Sequence, residues 1–466
     1  MRKCFLPVMF LAFVAAVSGQ SLSRDNDKPN ILFILIDDMG YADLGCYGNG
    51  EVETPYIDRL AAEGIRFTQY YSNAPICSPS RVAVLTGQYP QRWKITSYID
   101  NRAKNVDRGM RHFLDLRAPS IAKILSASGY YTAHIGKWHM GGGRDVGDAP
   151  LITEYGFRES VTQFEGLGER YLATYETLDL RDSTRQLEKM SASLGRGQVH
   201  WEKRYRVTER FVDKAIAAIG HARKERKPFY INLWPDDVHT PLEPSPANRG
   251  TGTKHDLYLG VVKELDQQLG RIFEFVRQDA QISSNTLIVV TSDNGPEPGA
   301  GSAGVFRGTK GSLYEGGIRE PFIVWCPGKM PADKPGTVDT RHVIAGIDLP
   351  PSFASLAGVE RSYPFDGIDM SDALTGKSTH GRRPPLMWQR PPDRKMLQGE
   401  PQPDLAIRDG DFKMVINTDA SGVALYNLAE DASESNDVSD KHPEVVKRLS
   451  KKVLSWYATM PSLNDQ

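Results

Sequence analysis

One short segment of the sequence combines residue types that suit the binding of an anionic ester. Residues 75–81 read Pro-Ile-Cys-Ser-Pro-Ser-Arg, and Ser78 followed by Pro79 is typical of a helix N-cap and a first helical residue. The pattern therefore predicts a helix that begins beside Cys77. Its free N–H groups and its dipole attract an anion, and Arg81 adds a positive charge one turn further on. The segment suits a phosphate or sulfate ester.

The residues alone leave open whether Cys77 is a structural cysteine or a reactive one. A lone cysteine is most often buried or disulfide-bonded, and reactive thiols are the minority. Cys46, Cys77 and Cys326 remain once a predicted N-terminal leader is set aside. An odd number in an exported chain means that at least one is unpaired or modified. Cys326 ends a predicted apolar strand, so we expect it in the core, and we expect no disulfide framework.

Acidic side chains follow two predicted buried strands. The continuous apolar run at residues 31–36 ends in Asp37 and Asp38, and a second apolar run ends in Asp293 and Asn294. Parallel sheets place their chemistry at the carboxyl ends of strands, although an Asp after a strand also commonly caps a turn. Three carboxylates and an amide carbonyl form a hard oxygen site, which favours Ca²⁺ or Mg²⁺ over zinc.

Basic and imidazole side chains follow other predicted strands and loops. Lys137 and His139 lie two residues apart in a glycine-rich loop, so an extended chain would aim both at one face. His239 comes just after another strand, and Lys310 lies in the glycine-rich segment 296–317. Each could be an ordinary solvated loop residue. Lys137, His139 and His239 also lie near predicted strand ends, where a parallel sheet places its chemistry, and flexible loops such as that of Lys310 often border active sites.

Together these segments resemble the type I, formylglycine-dependent sulfatases. Cys-Ser-Pro-Ser-Arg followed by Leu-Thr-Gly resembles the first signature of that family, and Gly-Lys-Trp-His resembles the second. The similarity runs in order over nearly the whole chain after the leader. It implies an alkaline-phosphatase-like α/β domain followed by a small C-terminal domain of sheet and helix.

The resemblance also implies a chemistry for each matching residue. Cys77 is expected to be converted by a formylglycine-generating or sulfatase-maturating enzyme to formylglycine (3-oxoalanine), whose hydrate attacks sulfur. His239 would protonate the leaving alcohol, and His139 would take a proton so that sulfate leaves and the aldehyde re-forms. One Ca²⁺ ion would be held by Asp37, Asp38, Asp293, Asn294 and residue 77. The residues expected around the sulfate are Arg81, Lys137, His139, His239 and Lys310.

Alternating strand and helix patterns predict an α/β fold, a mostly parallel sheet flanked by helices, as the catalytic domain over residues 29–379. The charged segment 153–206 shows little periodicity and is interpreted as an insertion that shapes a substrate cleft. Short strand patterns with turn signals and a closing helix predict a small antiparallel α+β subdomain over residues 380–466.

The N-terminal residues indicate the compartment of the protein, and the overall charge argues against nucleic acid as a partner. Residues 1–19 predict a signal peptide and residues 20–28 a polar spacer, so we expect a protein exported to the periplasm or secreted. An uncleaved anchor is the alternative, but the apolar run is shorter than the roughly 20 residues that span a bilayer, so stable membrane insertion is not expected. A net charge of −1 gives no basic field for nucleic acid.

The sequence does not identify the substrate, which could be a sulfated carbohydrate, including a polysaccharide, or a small aryl sulfate. A phosphodiesterase or phosphonate hydrolase of the same superfamily is an alternative, and so is a catalytically silent protein that binds sulfated glycans. Four residues are cleft candidates by position alone, with ordinary surface or packing roles as the commoner outcome: His112, Arg144, Trp388 and Arg390.

Overall fold

The computed structural model describes residues 28–177 and 182–462. The predicted signal peptide at residues 1–19 lies outside these residues, as does the predicted spacer at residues 20–28 apart from its last residue. Every helix within the described ranges is too short or too polar to cross a membrane.

A single large sheet lies at the centre of the described residues and contains eleven strands. In chain order they are β1 (Asn30–Ile36), β2 (Ile65–Tyr71), β3 (Tyr131–Gly136), β4 (Glu159–Thr162), β5 (Glu169–Thr174), β6 (Val199–Lys203), β7 (Phe229–Trp234), β8 (Thr286–Ser292), β9 (Arg319–Trp325), β10 (Thr337–Asp339) and β11 (Ile344–Ala345).

Smaller strands follow in the C-terminal region: β12 (Leu386–Gln389), β13 (Met396–Leu397), β14 (Glu400–Pro401), β15 (Leu405–Asp409), β16 (Phe412–Ile416) and β17 (Ala424–Asn427). The α-helices of the described residues are α1 (Pro55–Glu63), α2 (Cys77–Thr86), α3 (Arg102–Asp107), α4 (Ile121–Ala127), α5 (Ser183–Ser193), α6 (Val207–Lys224), α7 (Lys254–Gln278), α8 (Ala280–Ser283), α9 (Glu315–Ile318), α10 (Leu349–Leu356), α11 (Ser371–Leu374) and α12 (Pro443–Ala458).

The large sheet is mostly parallel, as the sequence predicts. Its strand order is β10-β2-β9-β8-β1-β7-β3-β4-β5-β6, with β11 also paired to β2. Strand β9 runs antiparallel to both of its neighbours, and the other pairs are parallel. The carboxyl ends of β8, β1, β7 and β3 therefore lie side by side along one edge.

Strand β1 shows why its sequence is apolar without interruption. Ile31, Phe33 and Leu35 belong to a core cluster that includes α2, α4 and α10. The alternate residues of the same strand belong to a second cluster, with α1, α6 and α7. Successive side chains of a strand point to opposite faces, so a strand covered by helices on both faces is apolar at every position.

Two local predictions differ from the structure. Helix α2 begins at Cys77 with Ile76 as its N-cap, so the assignment of Ser78 as the cap is wrong. Ser78 instead accepts a hydrogen bond from the N–H of Ile99 at 2.9 Å. A contact with a distant loop has replaced the local cap, and Cys77 is the first residue of the helix.

The segment 153–206 is also more regular than predicted. Instead of an irregular insertion, it supplies three parallel strands, β4, β5 and β6, that extend the central sheet. These strands have only four to six residues and are partly exposed. Short strands with mixed burial carry weak hydrophobic periodicity, which is why the sequence pattern does not reveal them.

The C-terminal region forms the small antiparallel sheet that the sequence predicts. Its strand order is β12-β15-β16-β17, and α12 packs against this sheet through a separate apolar cluster. A buried network joins the region to the central sheet. Lys413 Nζ lies 2.9 Å from both Glu315 Oε1 and Glu434 Oε1, and Tyr71 Oη donates to Glu315 Oε2 at 2.6 Å.

Replacing Lys413 with alanine is expected to lower the free energy of unfolding by about 3–5 kcal/mol, because it leaves two buried carboxylates without their shared cation. Urea unfolding followed by tryptophan fluorescence measures the change. Lys452 is a matched control, since it pairs with Asp409 while its side chain is 41% exposed. Surface pairs contribute about 0–1 kcal/mol. Equal losses in Lys413→Ala and Lys452→Ala would contradict this account of the network.

Candidate active site

The predicted site residues come together at the shared carboxyl edge of four neighbouring strands. Asp37 follows β1, Asp293 follows β8, Lys137 follows β3 and His239 lies just beyond β7, and these strands are adjacent in the order β8-β1-β7-β3. Helix α2 starts above the same edge and presents Cys77. The arrangement follows from parallel strand order, which aligns the carboxyl ends of strands that are distant in sequence.

The backbone at Asp38 brings two consecutive carboxylates into one place. In an extended strand Asp37 and Asp38 would point to opposite faces of the sheet. Asp38 has a φ of 62°, a left-handed conformation that Asp tolerates better than most residues. As a result, oxygen atoms of Asp37, Asp38 and Asp293 all lie within 4.8 Å of one another.

Arg81 links the helix that carries Cys77 to this acidic cluster. Its side chain is fully buried, and Nη2 lies 3.0 Å from Asp37 Oδ1 and 2.6 Å from Asp293 Oδ2. Nη1 donates to the carbonyl oxygen of Lys137 at 3.1 Å. Arg81 therefore fixes three chain segments relative to one another.

Two lysines lie above the carboxylates and face the cleft. Lys137 Nζ donates to Asp37 Oδ2 at 2.6 Å and lies 3.7 Å from Cys77 Sγ. Lys310 Nζ donates to Asp38 Oδ2 at 2.5 Å. The loop of Lys310 is held beside Cys77 because the N–H of Gly311 donates to the carbonyl oxygen of Pro75 at 2.7 Å.

Cys77 itself is a poor nucleophile in its unmodified form. Its side chain is buried, and burial raises the pKa of the thiol well above its usual range although Lys137 opposes the shift. Cys46, Cys77 and Cys326 are all free, and Cys326 lies in the core as predicted. The thiol stays protonated at neutral pH, and the thiolate is the reactive form.

The acidic cluster fits a hard divalent cation. Asn294 Nδ2 donates to Asp38 Oδ1 at 2.8 Å, whereas Asn294 Oδ1 is buried and has no hydrogen-bond partner. A buried acceptor without a partner costs free energy, and a metal ion would satisfy it. Carboxylate and amide oxygens are the ligands that Ca²⁺ prefers. The residues that would hold the ion are Asp37, Asp38, Asp293 and Asn294, with residue 77 beside them.

The carboxylates of the cluster perturb one another. Burial would raise the pKa of Asp37, but Lys137 and Arg81 hold it well below its usual range. Burial raises the pKa of Asp293 to about 7, and Asp37 and Asp38 add to this rise against the opposing charge of Arg81. The positive charges of Arg81, Lys137 and Lys310 thus do not fully offset the repulsion among the three carboxylates. This remaining negative charge is a second feature that suits a bound divalent ion.

The two predicted histidines have different surroundings. His239 Nδ1 lies 2.6 Å from the carbonyl oxygen of Thr240, which leaves Nε2 directed to the site, 3.8 Å from Asp38 Oδ2. His139 is buried, with Nε2 lying 3.1 Å from the Ile99 carbonyl oxygen. The φ of His139 is 52°, so the expectation of an extended chain at Lys137 and His139 is wrong, although both residues line the same cleft.

Glu165 is a site residue that the sequence motifs do not reveal. Its Oε2 lies 2.9 Å from His139 Nδ1 and 3.5 Å from Lys137 Nζ, and its Oε1 lies 3.1 Å from Arg144 Nη1. Burial would raise the pKa of Glu165, but His139 and Lys137 hold it well below its usual range. The one available signal was its place just after β4, at the edge where the other site residues lie.

These residues line a cleft with a volume of about 510 Å³. Among the four candidates named by position alone, Arg144 lines this cleft. Trp388 is buried and donates to the carbonyl oxygen of Ser72 at 2.7 Å, and Arg390 pairs with Asp404 at 2.5 Å. His112 is not among the lining residues.

The cleft also includes residues of the C-terminal region, namely Asp393, Arg394, Met396, Leu397 and Gln398.

Known proteins share this sequence and fold. A family model described as Sulfatase matches residues 29–359. N-acetylgalactosamine-6-O-sulfatase of Bacteroides thetaiotaomicron is 28% identical in an alignment of 522 positions, which covers 94% of this chain and 96% of the relative. N-acetylgalactosamine-6-sulfatase of Canis lupus familiaris is 32% identical over 399 residues, 82% of this chain and 72% of the relative. The crystal structure of Ps i-CgsB in complex with k-i-k-neocarrahexaose has a TM-score of 0.77 at 27% identity and covers 94% of each chain.

The sheet is mostly parallel and alkaline-phosphatase-like, and its carboxyl edge carries this cluster of carboxylates, lysines and histidines, where parallel folds place their chemistry. The chain belongs to the sulfatase family, because the family model matches more than half of it and a relative above 30% identity covers most of its length. It is therefore a sulfuric ester hydrolase.

Replacing Glu165 with glutamine is expected to lower kcat by about 10- to 100-fold, because His139, Lys137 and Arg144 lose the carboxylate that orients them. Burial lowers the pKa of His139 to about 4, although the nearby Glu165 carboxylate opposes this shift. Its removal should lower that pKa further and move the acidic limb of the pH–rate profile to lower pH. Glu169→Gln, on a more exposed carboxylate that pairs with Lys214, is the control. An unchanged kcat in Glu165→Gln would contradict this role.

Proposed function

We propose that this sulfatase removes sulfate from sulfated carbohydrates, with a formylglycine formed from Cys77 and one Ca²⁺ ion. The main support is the meeting of Lys137, Lys310, His139 and His239 around Cys77, above a buried acidic cluster, in a cleft of about 510 Å³. The names of two relatives refer to sulfated N-acetylgalactosamine, and a similar structure contains a neocarrahexaose. These relatives support carbohydrate over small aryl sulfates as the natural substrate class.

The nucleophile is proposed to be residue 77 after modification. Formylglycine supplies, as its hydrate, a hydroxyl group in place of a thiol that burial keeps protonated. Cys77 is only 2% exposed in the folded chain, so we infer that a maturating enzyme acts on it before the chain folds. Such conversion fits export through the signal peptide predicted at residues 1–19, to the periplasm or the exterior.

The cations of the site have separate tasks. Lys137 Nζ and Lys310 Nζ face the cleft and would bind the sulfate oxygens, and the loss of one such group typically costs about 2.7–4 kcal/mol of transition-state stabilisation. Arg81 is fully buried between Asp37 and Asp293, so it holds the acidic cluster and the start of α2 in place. A bound Ca²⁺ would supply a Lewis-acid charge beside residue 77.

The histidines are proposed to move protons. His239 is 31% exposed on its side chain, and its Nε2 would donate a proton to the oxygen of the leaving sugar alcohol. His139 would take a proton at its ring, and the carboxylate of Glu165, whose Oε2 lies 2.9 Å from Nδ1, would stabilise the resulting positive charge. The Nε2 atom of His139 can accept a proton only after its contact with the carbonyl oxygen of Ile99 is broken.

A sulfate-release screen on defined sulfated mono- and oligosaccharides, with aryl sulfates and aryl phosphates in parallel, tests the proposed function. We expect sulfate release from at least one carbohydrate, and a Cys77 peptide whose mass is that of the aldehyde. Cys77→Ala should lose more than about 10³-fold in kcat/KM while its thermal unfolding is unchanged. Dominant phosphatase activity, tight binding without sulfate release, or an entirely unconverted Cys77 would each contradict the proposal.

Replacing His239 with alanine is expected to reduce kcat on a sugar sulfate by about 10²- to 10⁴-fold, because a sugar alkoxide is a poor leaving group that needs a proton. The loss should be much smaller on 4-nitrophenyl sulfate, whose leaving group departs as an anion. His255→Ala is the control, since His255 is half exposed and pairs with Glu51 on the surface. Equal losses on both substrates would show that His239 acts by some means other than acid catalysis.

A further inference from the structure

We propose that Arg394 and the ring of Tyr98 form a second anion subsite at the cleft, which binds a carboxylate or a second sulfate on the sugar next to the one that carries the scissile sulfate. The proposal rests on the carbohydrate substrate proposed above and makes it more specific. It assigns this chain to substrates that carry two neighbouring anionic groups.

The position of Arg394 places it beside the sulfate-binding lysine. Arg394 lies two residues before the hairpin β13–β14. The end of this hairpin is attached to the loop of Lys310, because Ser312 Oγ donates to Gln402 Oε1 at 2.9 Å. The side chain of Arg394 passes close over Gly311. A Cβ atom added at Gly311 would lie 3.4 Å from Arg394 Cδ. The guanidinium therefore lies near the proposed sulfate site but on the side of the C-terminal region.

The charges of the cleft single out Arg394. Each of the other arginines and lysines that line it has a carboxylate oxygen within 3.0 Å, in the pairs Lys137–Asp37, Arg144–Asp100, Arg204–Asp236 and Lys310–Asp38. Arg394 is farther from its carboxylate partner, because the Oδ2 atom of Asp393 lies 3.4 Å from Arg394 Nη1.

Asp393 is already engaged by other groups. Its Oδ2 lies 3.0 Å from Arg108 Nη2, and its Oδ1 accepts a hydrogen bond from Ser97 Oγ at 2.7 Å. The charge of Asp393 is therefore shared, and Arg394 keeps an unbalanced positive charge. Its side chain is 33% exposed, so an incoming anion can reach it without full desolvation of both partners.

Tyr98 sets the distance between the two anion sites. The guanidinium carbon of Arg394 lies 5.6 Å from the centre of the Tyr98 ring, within the range of a cation–π contact. The centre of the same ring lies 6.4 Å from that of His139. One aromatic ring thus separates Arg394 from the sulfate site, a span that suits adjacent sugars.

The acidic residue Glu297, which also lines the cleft, does not cancel this charge. Its carboxylate oxygens lie 3.6 Å from Lys310 Nζ and 3.9 Å from Lys254 Nζ. Its carboxylate is therefore directed to those two lysines rather than to Arg394. The cleft therefore presents Arg394 as a cation that the proposed chemistry at Cys77 does not use.

The test compares disaccharide sulfates that share one scissile sulfate and differ only in the neighbouring sugar, which is neutral, carries a carboxylate or carries a second sulfate. The measured quantity is kcat/KM on each disaccharide divided by kcat/KM on 4-nitrophenyl sulfate. In Arg394→Ala this ratio is expected to fall by about 10- to 100-fold for the anionic neighbours, since hydrogen bonds to charged groups contribute on that scale. The loss should appear mainly in KM.

Two further variants separate recognition from structure and from bulk charge. Lys395→Ala removes the same charge from the adjacent exposed residue and should leave every ratio within about twofold. Arg394→Lys keeps the charge and should restore part of the ratio. A fall that favours the carboxylate or the second sulfate identifies the group that the subsite binds, and either result supports the proposal.

Other outcomes overturn it. If Arg394→Ala lowers kcat/KM equally for neutral and anionic neighbours, or lowers neither, the subsite does not exist. If Lys395→Ala matches Arg394→Ala, the effect is general electrostatic attraction. Failure of the carbohydrate proposal gives a different result, because the wild-type enzyme with converted Cys77 would then cleave 4-nitrophenyl sulfate and release no sulfate from any of the disaccharides.

Discussion

The buried guanidinium of Arg81 is the interaction on which the rest of the site depends. A fully buried cation is tolerated only when carboxylates pair with it closely, and Asp37 and Asp293 do so at 3.0 and 2.6 Å. These carboxylates end two adjacent strands, whereas Arg81 belongs to the helix that begins at Cys77. The pairing therefore fixes the position of Cys77 relative to the acidic cluster, and removal of any one partner would leave a buried charge uncompensated.

The same charge balance explains why the site suits both a cation and an anion. Three carboxylates face three side-chain cations, yet burial and mutual repulsion still raise the pKa of Asp293 to about 7. Asn294 adds a buried oxygen that has no hydrogen-bond partner. A divalent ion would satisfy these groups and free Lys137 and Lys310 to face a sulfate. The lysines and the acidic cluster are thus parts of one electrostatic arrangement.

The C-terminal region contributes to the site as well as to stability. Lys413, buried between Glu315 and Glu434, holds its sheet against the central sheet. The hairpin β13–β14, which lies between β12 and β15 in the chain, places Arg394 over the loop of Lys310. The proposed contact of Arg394 with substrate depends on this position, and the buried network helps to hold the C-terminal region in place.

The sequence by itself determined most of the strand and helix alternation, the acidic ends of β1 and β8, and a helix that begins close to Cys77, because local periodicity and local motifs encode them. Only the tertiary structure decided the partners of those residues. Glu165 and Arg394 follow no motif, and their proposed roles rest on contacts with His139 and Tyr98, which lie far away along the chain. Ser78 shows the same limit, since a distant N–H displaced its local capping role. Hydrogen bonds and charges act through space, so sequence spacing cannot specify them.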